Sequence, residues 1–269
     1  MSRIVRPAAT VEYPSGDGQP MAENDWQLRA ILDSVSALLT HFRDRPDVYV
    51  SGDLFIYYEE GNPRARVAPD VFVAFGVPNH KRPIYKLWEE GVVPAFVMEV
   101  ASVSTWREDD GRKAKLYERL GVQEYWQYDP TGEYLGLKLK GRRLVDGAYV
   151  PQPVVESIDG TLLLRSDSLA LDFRVQGEES HFFDPATGER LLSLVEQYAA
   201  HRAARLRAAA AESKVATAES KAAAAQSQIA TAESQVAAAE SRADAAESRA
   251  EAAEAELAAL RARLDEGRR

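Results

Sequence analysis

Three different periodicities of apolar and polar residues run along this chain. Near the start, Trp26, Leu28, Ile31, Leu32, Val35, Leu38, Leu39 and Phe42 recur at helical spacing, which predicts a helix opening at Asn24 or Asp25. Short apolar runs then predict strands at residues 48–50, 54–58, 66–75 and 95–101, with a hairpin-like turn at 59–63. A loop with Pro78 and Pro83 and an amphipathic piece at 85–90 separate the last two. Helical spacing returns over 109–120, with Gly121 as the expected C-cap. Further strands are expected at 124–128, 134–140, 143–145, 149–150 and 161–173, and a last hairpin at 182–192. Helix, strands, helix, strand is the order of an α/β (α+β) mixed sheet with flanking helices.

From about residue 191 the pattern changes to one long helix without Gly or Pro up to Gly267. Between 211 and 259 a seven-residue repeat is visible, beginning AESKVAT-AESKAAA. With Val215 at position a, residues Ala222, Ile229, Val236, Ala243, Ala250, Leu257 and Leu264 also fall at a, while Ala218 through Ala253 and Leu260 fall at d. Sustained apolar a and d positions predict a coiled coil. Lys214, Arg242 and Arg249 at g would meet Glu219, Glu247 and Glu254 at e′ of a parallel partner. An antiparallel partner would oppose like charges. The tail therefore reads as a parallel homodimer through 211–264, and the chain as three parts: an arm at 1–20, a globular domain at 21–195 and a coiled coil at 196–269.

Charge and composition narrow the function classes. Of 33 Lys+Arg and 42 Asp+Glu, 11 of each lie beyond residue 200, so the preceding part keeps 22 basic against 31 acidic groups. Duplex binding depends on neutralising phosphates, so an acidic domain needs local basic patches or bound cations to hold nucleic acid. Cysteine is absent and the four histidines are scattered, which argues against zinc. No stretch approaches 18 apolar residues and no leader-like segment opens the chain. The expectation is a soluble, cytoplasmic protein with no membrane partner.

Within the apolar strands sit two isolated acids, Asp70 in residues 67–75 and Glu99 in AFVMEVA. A buried carboxylate is costly unless it is paired or binds a cation; a surface-facing residue or an ordinary salt bridge is the plain alternative for either acid. Asp109, Lys113 and Tyr117 follow at intervals of four on the next helix and share one face. Lys113 therefore lies near one sheet edge, where it can approach Glu99 or simply pair with Asp109. Lys115 points roughly 200° away and is the poorer candidate. Two strand-borne carboxylates, a cation and a lysine are the parts of a phosphodiester hydrolysis site. Glu23 or Asp25, at the start of the first helix, is a further candidate acid. Tyr117, Tyr125, Trp126 and Tyr128 read mainly as packing for the helix on the sheet. Arg64, Arg66, Lys81, Arg82 and Lys86 form the densest basic region, either a phosphate-contacting rim or a solvated loop.

Pro69-Asp70, Glu99-Val-x-Ser102, Thr105, the Asp109/Lys113/Tyr117/Gly121 series and Glu124-Tyr125-Trp126-x-x-Asp129-Pro130 together resemble the Uma-type putative restriction endonuclease family of the PD-(D/E)XK nuclease superfamily. The similarity spans roughly residues 20–195. It implies a restriction-endonuclease-like core, Mg2+ or Mn2+ held by Asp70 and Glu99, and Lys113 as catalytic lysine, with Glu23, Ser102, Asp109 and Tyr117 in support. DNA is the implied substrate. One position departs from the superfamily pattern: Ala101 stands where the lysine two residues after the strand acid is usual. The resemblance then implies that Lys113 acts from the helix; the alternative is a nuclease-fold binding or scaffold protein without catalysis.

Overall fold

A computed structural model describes residues 11–16, 18 and 22–266, with side chains described to 261. The described chain separates into two compact units between Ala199 and Ala200. Residues 1–10, 17, 19 and 20 of the expected arm lie outside the described part. The arm residues that are described are tied down: Tyr57 donates to the Pro14 carbonyl at 2.6 Å and the Tyr13 ring packs edge-on against Tyr57.

The first unit begins with α1 (Asp25–His41), whose N-cap Asn24 accepts a hydrogen bond from the Gln27 amide. β1 (Val48–Ser51), β2 (Ile56–Tyr57), β3 (Arg66–Val67) and β4 (Val71–Phe75) follow, then β5 (Tyr85–Lys86), the short α2 (Leu87–Glu90) and β6 (Phe96–Val100). A crossover leads on through α3 (Trp106–Glu108), a π-helical turn (Asp109–Lys113) and α4 (Ala114–Leu120) to β7 (Glu124–Tyr128). β8 (Leu139–Val145), β9 (Ala148–Gln152), β10 (Val155–Glu156), β11 (Leu162–Ser166), β12 (Leu171–Gln176) and β13 (Glu179–Phe183) complete the strands before α5 (Leu194–Glu266).

The main sheet has six strands in the order β1-β4-β6-β7-β8-β9. Only β6 and β7 are parallel, because only they are joined by a helical crossover; the other neighbours are antiparallel. The fold is thus the mixed α/β class the sequence predicts. Strand alternation gives the sheet two unlike faces. On one face Val50, Val73, Phe96, Met98, Trp126 and Leu139 pack with Ile31 and Leu38 of α1 and with Leu164 and Phe173 of the four-stranded sheet β10-β11-β12-β13. On the other, Phe72, Val97 and Tyr125 pack with Leu116 and Tyr117 of α4 and with Ile56 and Tyr85 of the small sheet β3-β2-β5.

Four expected elements differ. The strand at 66–75 breaks at Asp70: β3 and β4 enter different sheets. Residues 134–140 do not begin a strand, since the Asp129 carboxylate takes the amides of Gly132, Tyr134 and Leu135 and folds them into a loop. The run 161–173 is two strands, turned at Ala170 with φ 56°. The crossover helix starts three residues earlier than 109, and includes the π turn. In α1, Trp26, Leu28, Leu32 and Leu39 are exposed, while Gln27, Ala30 and Ser34 face inward. The buried face is narrower than the apolar pattern and includes a glutamine with work at the site.

Candidate active site

Asp70 lies in the bend immediately before β4, and Glu99 lies at the fourth position of β6. The β4–β6 register pairs Val71 with Met98, so Asp70 and Glu99 are one step beyond the last pair, on the same face. The two acids are brought together by the backbone: the Asp70 amide points at Glu99 Oε2 at 3.4 Å, and the Val100 amide donates to Asp70 Oδ2 at 2.7 Å. Gly52 makes the bend possible. A Cβ there would sit 2.3 Å from the Asp70 carbonyl oxygen and 2.8 Å from Val35 Cγ2, closer than real contacts allow.

The crossover delivers the remaining groups. Lys113 Nζ is 3.0 Å from Glu99 Oε2 and 2.9 Å from Asp109 Oδ1, and the Tyr117 hydroxyl donates to Glu99 Oε1 at 2.6 Å. Glu99 and Asp109 are each 1 % exposed. The i to i+5 winding of the π turn keeps Asp109 and Lys113 on the sheet side, and such turns frequently occur at functional sites. Gly121, with φ 87°, ends α4 in the left-handed conformation and returns the chain to β7. Tyr125 on β7 donates to the Asp109 carbonyl at 2.8 Å, pinning the crossover to the sheet.

The electrostatics are crowded. Burial pushes the Asp70 pKa well above the usual carboxylate value, and the charge of Glu99 adds to it, with Lys113 working against both. Burial and Glu99 likewise push Asp109 up to about 7, although Lys113 opposes the rise. Burial works against the Lys113 ammonium, yet Glu99, Asp109 and Asp70 together hold its pKa above that of an ordinary lysine. Neither carboxylate oxygen of Asp109 has a well-formed hydrogen bond among the described residues; Lys113 meets Oδ1 as an ion pair, and the Lys113 and Thr105 side chains both help to hold the Asp109 charge.

Asp70, Glu99, Asp109, Lys113 and Tyr117 are therefore one cluster. Ser102, Glu23, Asp25 and Lys115 are not in it. The Ser102 hydroxyl shares a hydrogen bond of 2.9 Å with Thr105 and accepts the Thr105 amide, stabilising the turn after β6. Glu23 is exposed and accepts from Ser104 in that turn, and Asp25 is exposed at the start of α1. Lys115 is exposed. Tyr117, Tyr125, Trp126 and Tyr128 are buried as packing. In the basic region, Arg82 is held by Glu90 at 2.6 Å and Lys86 by Glu89 at 2.8 Å.

Two residues at the cluster escape sequence reasoning. Gln27 donates from Nε2 to the Val100 carbonyl at 3.1 Å, docking α1 at the end of the Glu99 strand. Gln127 pairs with Glu99 across β6–β7 on the same face. Its signal lies in the strand EYWQY: Gln127 stands between Trp126 and Tyr128 much as Glu99 stands between Met98 and Val100.

The family whose sequence model matches residues 3–174 is described as "Uma2: Putative restriction endonuclease". That match spans more than half of the chain, and the chain belongs to the Uma2 family. No curated protein matches it. Among solved structures, it is similar to a protein from Anabaena variabilis described as a putative nuclease, at 12% identity over 60% of this chain and 68% of that one; the TM-score is 0.33, too loose for that likeness to carry weight. Among the described residues, no group of three or more His, Cys, Asp or Glu is arranged to hold a metal ion, and no helix is long and apolar enough to cross a membrane.

Proposed function

We propose that this chain is a divalent-metal-dependent endonuclease that hydrolyses phosphodiester bonds in DNA, with Asp70 and Glu99 as ligands for Mg2+ or Mn2+ and Lys113 as the catalytic lysine. The observation that carries the reading is the 3.0 Å approach of Lys113 Nζ to Glu99 from the helix side, which supports Lys113 in the role of the lysine absent at position 101.

No three-ligand site is preformed among the described residues, but the donor chemistry supports a hard cation. Three carboxylates surround one ammonium, burial and mutual repulsion disfavour the charge on Asp70, and all donors are oxygens. Mg2+ is commonly held by one or two carboxylates, with water and substrate phosphate completing the shell. Glu99 Oε1 accepts from the Tyr117 hydroxyl and keeps a second lone pair for such a ligand, while Oε2 already faces Lys113 and the Asp70 amide. When bound, the cation would polarise a phosphoryl oxygen and make an attacking water more acidic.

The chain's own groups supply the rest. The Val100 amide and the Tyr117 hydroxyl fix the rotamers of Asp70 and Glu99. Asp109 steers the Lys113 ammonium toward the site from one helical turn away. An ammonium held charged at neutral pH stabilises negative charge as it grows on the phosphate. The test is cleavage of plasmid and single-stranded DNA with and without Mg2+ or Mn2+. Wild type is expected to cut with metal only, and Asp70→Ala, Glu99→Ala and Lys113→Ala each to lose about 100-fold or more. A wild type that cuts nothing leaves the scaffold reading; a Lys113→Ala variant as fast as wild type removes the lysine's role.

We further propose that α5 pairs in parallel with a second copy. In the single chain Val215, Ile229, Val236 and Leu257 are each more than half exposed along its 73 residues, which leaves the apolar seam for a partner. The g-to-e′ pairs from Lys214 to Glu219, Arg242 to Glu247 and Arg249 to Glu254 favour the parallel arrangement. Such a dimer would hold two sites together, which suits cutting two strands. Deleting residues 205–269 should leave a monomer, with well under half the mass of the full-length dimer by light scattering; an unchanged oligomer would refute the pairing.

A further inference from the structure

The face that carries Glu99 continues past it. Glu99 pairs with Gln127 on β7, and Gln127 pairs with Lys140 on β8, so Asp70, Glu99, Gln127 and Lys140 form one row across the sheet. In the next row Tyr125 pairs with Arg142. The row thus passes from acidic to basic within three strands.

Lys140 and Arg142 both meet Asp110, the residue after Asp109 in the π turn; Lys140 Nζ is 3.5 Å from it. Two cations on one carboxylate leave one positive charge over. Both side chains are reachable, at 39 % and 23 % exposed. They line a cleft of about 400 Å³ together with Asp110, Leu137 and Gln152. The cleft opens where β9 stops: Gly141 is paired with Gln152, and Lys140 runs on without a β9 partner. That volume is in the range of small-ligand sites.

Gln127 is a second, independent sign. Its Oε1 accepts from Arg142 Nη1 at 2.8 Å. A guanidinium has no acceptor, so this bond fixes the amide orientation. The Nε2 donor is then turned away, fully buried and without a hydrogen-bond partner among the described residues. A buried orphan donor is disfavoured unless something binds it. It lies between Glu99 and Lys140 in the row.

We infer that Lys140 and Arg142 form a phosphate-binding subsite for the DNA backbone beside the cleaved bond, with Asp110 holding both cations in place until phosphate competes for them. The inference rests on the nuclease reading above and deepens it. It also answers a difficulty of composition: a domain with 31 acidic and 22 basic groups needs a local place where phosphate is welcome.

The experiment measures binding, separately from cleavage. Full-length Asp70→Asn protein in EDTA is titrated into fluorescein-labelled duplex and single-stranded DNA, and anisotropy is followed over a range of salt. Lys140→Ala and Arg142→Ala in that background are each expected to weaken binding about 5-fold or more, and to flatten the log K against log salt slope by roughly 0.7 to 0.9. Arg142→Lys keeps the charge and should keep the slope, which separates loss of a phosphate contact from loss of the Gln127 support. Asp110→Asn is expected to tighten binding, and Lys115→Ala to leave it unchanged. Unchanged Kd and slope in Lys140→Ala and Arg142→Ala, or absence of any DNA binding, would overturn the subsite. Cleavage by wild type alongside that result would leave the nuclease reading standing; salt-dependent binding through Lys140 and Arg142 without cleavage would sink that reading and keep the subsite.

Discussion

The two faces of the six-stranded sheet are made by the same strands and do opposite things. On the face toward α1, Val73, Met98, Trp126 and Leu139 form a continuous apolar layer. On the face toward α4, the adjoining residues of those strands include Glu99, Gln127 and Lys140 among Val97 and Tyr125. One face contributes stability through burial, about 25 cal/mol per Å² of apolar surface. The other spends part of it to hold like charges and an unpaired amide out of water. A shift of one residue in register would exchange the two roles, so a tightly packed first face is what keeps the second face's chemistry aligned.

The largest expected effect is on the packed face. Trp126 is fully buried against Phe96 and Phe173, and its Nε1 donates to Gln152 at 2.8 Å. Trp126→Ala should lower the unfolding free energy by about 3–5 kcal/mol in urea titration. A loss under about 1 kcal/mol would contradict the division between faces.

Next comes Asp129, at the end of β7, whose carboxylate takes the amides of Thr131, Gly132, Tyr134 and Leu135. Burial works against this carboxylate, but those bonds, the Leu135 amide foremost, bring its pKa below the usual value. Asp129→Ala should cost about 3 kcal/mol at neutral pH. Because the folded pKa is depressed, this stabilisation is present above the unfolded value near 4 and is lost as pH falls through the folded one. The gap between wild type and variant should therefore close below about pH 4.

Gly52→Ala touches both faces, pressing Val35 on one and the Asp70 carbonyl on the other. It should cost about 1–3 kcal/mol, and lower cleavage as well through displacement of Asp70. Unchanged activity would mean that the bend before β4 tolerates movement. Smallest is Asp70→Asn without metal: removal of one of two facing carboxylates should leave stability within about 1 kcal/mol of wild type or raise it. A large loss would mark Asp70 as structural rather than chemical.

These contrasts also explain what the sequence discloses. Glu99 and Asp70 are legible because each is the one charge in an apolar run, and Lys113 because it shares a helix face with Asp109 and Tyr117; local periodicity records both. The split of residues 66–75 is not, since it depends on the Asp70 carbonyl passing Gly52, a contact between distant segments. The loop at 134–138 is hidden because Tyr134 and Leu135 look like strand residues, while their amides are claimed by Asp129. The π turn leaves no mark in the i, i+4 spacing of Asp109 and Lys113, which an α-helix would satisfy equally. Lys140 and Arg142 gain meaning only from their register against Gln127.

The central claim is that the polar face holds a divalent cation between Asp70 and Glu99. Isothermal titration of Mn2+ into full-length protein tests it most directly. The account predicts saturable uptake by wild type that is abolished in both Asp70→Asn and Glu99→Gln, with folding intact by circular dichroism. No uptake by wild type, or equal uptake by either variant, would contradict it.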